Sequence, residues 1–147
     1  DRPNYENPLE FADLNIYNFS SDKHSQFIFD NCKWEKIRNT KKECYSMLEE
    51  FALRNGLKPA FDKLSKNSIP WCMPAYAKNQ KEAIRWFDWG WKNNVKIFSW
   101  PTLPLEIISN RKKTYDRWER LICFEINDQL ISNKKIINII KHSKKLN

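Results

Sequence analysis

Val95-Lys96-Ile97-Phe98-Ser99-Trp100-Pro101-Thr102-Leu103-Pro104 is the stretch from which the fold can be read outward. Val95 to Phe98 is an apolar run of strand length. Pro101 and Pro104 fix φ and remove two backbone donors. Each also pushes the residue before it, Trp100 and Leu103, toward extended geometry. The segment predicts a short strand running into a stiff loop that carries an indole. Such loops commonly present a side chain to a ligand. The plainer alternative is that Trp100 caps the core, as loop aromatics often do.

Just upstream, Asn79-Gln80-Lys81-Glu82 has the form of a capping box, with asparagine as cap and glutamate three residues on. It predicts a helix running through Ala83, Ile84, Phe87 and Trp91, with Trp86 and Trp89 pointing away from Phe87 and Trp91 and at least one of these tryptophans in the core. Gly90 or Asn93-Asn94 supplies the stop, since asparagine tolerates the left-handed region. Residues 69–77 hold β-formers together with Pro70 and Pro74, which predicts an edge or bulged strand. Before it, residues 30–54 carry Trp34, Ile37, Lys41, Cys44, Leu48, Phe51 and Ala52 on one helical stripe. Asp30 is the expected cap, and Asn55-Gly56 the expected left-handed stop. Prolines and asparagines through residues 1–29 predict an extended arm, leaving 30–147 as the folded domain.

Downstream, residues 110–120 predict a helix with Tyr115 and Trp118 inward, and residues 121–126 a strand. Asn127-Asp128-Gln129 reads as a turn. Ser132 then caps a last helix that buries Ile136, Ile139 and Ile140. Short strands alternating with helices predict an α+β domain, a short and mostly antiparallel sheet covered by helices.

Composition narrows the class. A chain of 147 residues, 41% hydrophobic and 14% aromatic, is long enough for one domain with a core. No apolar run approaches the length of a membrane span, and no secretory h-region opens the chain. The first residue is Asp1, which fits a processed product or a piece of something longer. Cys32, Cys44, Cys72 and Cys123 form no CxxC pair, and neither histidine stands at ligand spacing to them, which argues against zinc. Four free thiols suit a reducing cytoplasm. The net charge of +8 admits a nucleic-acid surface, but acidic residues interleave with the lysines, which favours solvated helix faces. One alternative reading is a basic, tryptophan-rich nucleic-acid or protein interaction module using Trp86, Trp89 and Trp91 as stacking faces.

The order of these segments resembles the C-terminal small domain of sugar aminotransferases of the DegT/DnrJ/EryC1/StrS type. Trp34 to Tyr45 resembles that family's long helix, and Ile69-Pro70-Trp71-Cys72-Met73-Pro74 its following strand. Ser99 to Pro104 resembles a Trp-Pro-x-Leu-Pro loop, and Leu121 to Leu130 the closing strand and turn. Glu125 stands where the family usually has proline, Asn127 where it has histidine, and Asn93-Asn94 where it has glycine. The resemblance implies a fold-type I enzyme dependent on pyridoxal phosphate, a homodimer acting on a nucleotide-linked keto-sugar. It implies that the cofactor, its Schiff-base lysine and the phosphate loop belong to a large domain that nothing in this chain matches. It also implies that Trp100, Thr102 and Asn127 face the sugar and that this chain alone is not catalytic.

Overall fold

A computed structural model describes residues 22–100, 103 and 113–143. Helices α1 (Lys23–Asn31) and α2 (Trp34–Arg54) lead into strands β1 (Lys58–Pro59) and β2 (Cys72–Tyr76). Helix α3 (Gln80–Asn93) and strand β3 (Ile97–Phe98) follow. Helix α4 (Lys113–Arg120), strand β4 (Leu121–Glu125), and helices α5 (Asp128–Ser132) and α6 (Lys134–His142) complete the described chain. The strands form one four-stranded antiparallel sheet in the order β1-β2-β4-β3. The α+β expectation holds: a short antiparallel sheet flanked by helices.

Alternation along the strands defines two faces. Met73 and Ala75 of β2, with Ile122 and Phe124 of β4, point into the core. There they join Leu48, Phe51 and Ala52 of α2, Ala83 and Trp86 of α3, and Ile136 and Ile140 of α6. Phe51 lies at the centre, with ring centroids 5.6 Å from Trp86, 5.3 Å from Trp89 and 5.9 Å from Phe124.

Several sequence expectations are corrected. A helix over Lys23–Asn31 replaces part of the extended arm expected for residues 1–29; residues 1–21 lie outside the described residues. Asp22 starts this helix by accepting from the His24 and Ser25 N–H groups, at 2.8 and 2.9 Å. The Ser25 N–H, the Ser25 hydroxyl and the His24 N–H hold the Asp22 carboxyl below its usual range. The helix expected from Asp30 is interrupted at Cys32-Lys33, and α2 begins at Trp34 without a side-chain cap. The α2 stripe is buried only from Cys44 onward; Trp34 is exposed and Ile37 half-buried. The core begins partway along the helix, so the first turns overhang it. Lys41, which interrupts the apolar stripe, sends its Nζ to the Ile126 carbonyl at 3.2 Å. Its stem can thus lie on the core while its charge serves a strand end.

The end of α2 follows expectation. Gly56 takes φ +77°. Gly56 N–H donates to the Leu53 carbonyl at 3.0 Å and Leu57 N–H to the Ala52 carbonyl at 2.9 Å, which is the Schellman pattern.

The strand with two prolines is not an edge strand. β2 lies between β1 and β4. Pro74 opposes Cys123 in the β4 register, and its carbonyl accepts from Ala60 N–H at 2.9 Å on the β1 side. In an antiparallel ladder the N–H and C=O of one residue point the same way. The donor that proline lacks would therefore face β1, a two-residue strand, and the β4 ladder stays whole.

Helix α3 has the predicted ends. Asn79 Oδ1 accepts from Glu82 N–H at 2.9 Å, and Asn94 takes the left-handed φ of 56°. Glu82 departs from the usual box by reaching back to Lys78 N–H, one residue before the cap. The buried face, however, is turned from the predicted stripe, with only Ala83 common to both. Ala83, Trp86 and Gly90 are buried, whereas Ile84 and Trp91 are exposed. Gly90 does not end the helix; it lets β3 come close. A Cβ there would stand 2.6 Å from the Val95 carbonyl oxygen and 2.9 Å from Ile97 Cδ1. Finally, α5 replaces the turn expected at 127–129, and Asn133 rather than Ser132 caps α6.

Candidate functional site

The second sheet face carries the candidate site. The register places Lys96 opposite Glu125, and Glu125 opposite Cys72, in one row across the sheet. The next row is Phe98, Cys123 and Pro74. Helices α2, α3 and α6 belong to the core cluster on the other face. Trp71, just before β2, lays its ring over Phe98 with centroids 5.2 Å apart and planes 23° from parallel. Trp100, two residues past β3, tilts against Trp71 at 6.2 Å. Trp71 and Trp100 remain 54% and 46% exposed, so this aromatic group is half in water. Trp118 of α4 steadies it from below by donating its indole N–H to the Trp100 carbonyl at 2.9 Å.

Polar groups border the rings. Lys96 Nζ and Glu125 Oε2 are 3.1 Å apart across the strands. Glu125 N–H also donates to the Lys96 carbonyl, and Ile126 N–H donates to the Trp71 carbonyl at 2.8 Å, which pins the backbone beneath Trp71. Under the rings lie Cys72 and Cys123, both buried and free, diagonal to each other in the register. The neighbouring Cys72 thiol first, and burial second, push the Cys123 thiol up. Flat apolar faces bordered by a cation and a carboxylate can stack a ring and hydrogen-bond its hydroxyls.

Of the residues expected to face a ligand, Trp100 does stand on this open face. Thr102 lies outside the described residues, as do Pro101 and Pro104. Asn127 follows Ile126, whose N–H bonds the Trp71 carbonyl, but its own side chain is engaged. It leaves β4 at the end where β3 begins, whereas Trp100 follows the far end of β3. Its side-chain oxygen accepts from Leu130 N–H at 2.9 Å and its carbonyl from Ile131 N–H at 3.1 Å, so it caps α5. Sequence reasoning missed Trp71 as the partner of Trp100. The signal was its place beside a proline at the start of the preceding strand, and only strand order turns that into contact. Of the three indoles in the alternative interaction reading, Trp86 is 1% exposed and Trp89 is stacked on Phe51, so only Trp91 remains open.

Among the described residues none fits an internal aldimine with pyridoxal phosphate. Such a lysine must be desolvated enough to lose its proton near neutrality. Among the described residues no lysine is buried. Titrating the chain with pyridoxal phosphate and reducing with borohydride is expected to trap no stoichiometric adduct at a single lysine. A one-to-one adduct with a visible Schiff-base band would reverse this.

Compared with known proteins, the chain matches no protein-family model, no curated protein and no solved structure.

Proposed function

We propose that this chain is the small domain of a pyridoxal-phosphate-dependent aminotransferase acting on a nucleotide-linked keto-sugar, and that its part in the reaction is to hold the sugar. The motif order of the sequence supports the enzyme class. The observation that carries the sugar-holding role is the half-exposed group of Trp71, Phe98 and Trp100 beside the Lys96–Glu125 pair. A pyranose offers apolar C–H faces that stack on indole and equatorial hydroxyls that reach charged groups at the rim. The cofactor, when bound, supplies the electron sink for amine transfer. By this reading a partner large domain holds it. The residues of this chain orient the sugar and shield one of its faces from water.

Saturation-transfer NMR on this chain tests the sugar-holding role directly. A nucleoside diphosphate-hexose should receive saturation at its sugar-ring protons, and Trp100→Ala should remove most of that transfer without lowering the melting temperature. Trp100 is about half exposed, so its loss leaves the core intact. Transfer confined to the nucleoside protons, or unchanged by Trp100→Ala, would end this assignment.

A further inference from the structure

We infer that the outer face of α3 is a docking surface for an acidic, amphipathic helical segment of a partner protein. This is separate from the sugar-facing rim, and it lies on the helical layer of the domain.

Trp91 is 88% exposed, and Ile84, also exposed, stands about two helical turns before it on the same side. Phe87, half-buried between them, joins this stripe to the core. A large indole left open at the end of a well-capped helix has no role in holding that helix, whose inner face is Ala83, Trp86 and Gly90. Exposed apolar stripes rimmed by polar groups mark interaction sites.

The rim sets the chemistry of the partner. Lys81, Arg85, Asp88 and Lys92 form the adjacent exposed row at steps of four, three and four residues. Among the described residues no ion pair involves any of them. The row carries three cations and one carboxylate, and it runs alongside the apolar stripe. Its complement is a helix with apolar side chains about two turns apart and carboxylates flanking them. Two other occupants fit less well. A single-stranded nucleic acid needs successive stacking faces, and Trp86 and Trp89 belong to the core. A membrane surface would have to accept Asp88 in the middle of the contact and would gain only two exposed apolar side chains, Ile84 and Trp91.

The test is a titration of this chain, labelled with 15N at its tryptophan indoles. The Trp91 signal is identified by its loss in Trp91→Phe. The probe is a synthetic helical peptide with leucines two turns apart and glutamates flanking them. Its control carries lysine in place of each glutamate. The acidic peptide should shift the Trp91 signal saturably, and Trp91→Ala should weaken binding at least about tenfold. Arg85→Glu should abolish binding of the acidic peptide and create binding of the lysine peptide. Both substituted side chains are exposed, and unchanged signals from the remaining indoles will show that the fold is kept. No saturable shift with the acidic peptide would overturn the proposal. So would equal binding of the two peptides, or a Trp91 shift produced by an oligonucleotide or by anionic phosphatidylserine vesicles but not by the acidic peptide.

Discussion

Phe51→Ala is expected to cost roughly 3–5 kcal/mol of folding stability. Its ring is fully buried and meets Trp86, Trp89 and Phe124 at centroid distances of 5.3–6 Å. Edge-to-face contacts with Trp86 and Phe124 place the positive ring edge against a negative π face, and these are lost together with the buried area. The void left behind would be lined by large, rigid rings from α3 and β4, which collapse poorly into it. A domain of this size holds only about 5–15 kcal/mol in all. The melting temperature should therefore fall by more than about 10 °C. Urea titration with a common m-value measures the loss, and a loss below about 1 kcal/mol would place this side chain outside the core.

The second large effect distinguishes two tryptophans on one helix. Trp86→Ala is expected to cost about 3–5 kcal/mol, because the side chain is fully buried. Trp91→Ala should change stability by no more than about 0.5 kcal/mol, because it removes a side chain that is in water. Trp86→Phe should cost less than the loss of volume alone suggests. The buried Trp86 Nε1 has no hydrogen-bond partner among the described residues, so phenylalanine also removes an unsatisfied donor. Guanidinium titrations of the three variants give the order. Equal costs for Trp86→Ala and Trp91→Ala would contradict this division into one buried and one exposed indole.

That helix shows where reading from sequence stops. Both possible faces of α3 are apolar: Ala83, Trp86 and Gly90 on one, Ile84, Phe87 and Trp91 on the other. Periodicity counts apolar positions and cannot choose between two stripes that both qualify. The choice falls to packing. Gly90 lets β3 approach the helix, since a Cβ there would collide with the Val95 carbonyl. The glycine therefore faces the sheet, and Trp86 follows it inward. Likewise, Pro70 and Pro74 argued for an edge strand, yet the one donor missing within β2 falls on the side of the two-residue strand β1. Proline chemistry was read correctly; the direction in which the missing N–H would point depends on strand pairing.

The candidate site divides in the same way. Trp100 was legible because two prolines after a strand imply a rigid loop that displays its indole. Trp71 was not, because its contact with Phe98 arises between strands that β4 separates in the sheet. Asn127 was chosen by position in a resemblance, and its local chemistry, a side-chain oxygen three residues ahead of an unpaired N–H, spends it on capping α5. Local chemistry set the strand expected at residues 121–126 and found at 121–125, the helix stops at Gly56 and Asn94, the cap at Asn79 and the α+β class. These depend on φ preferences and on groups a few residues apart. The tertiary structure alone decided which face of α3 is inward, which strand is central and which rings meet on the open face. Those outcomes depend on contacts between segments far apart in the chain, where each side chain's surroundings are set by the packing of the whole.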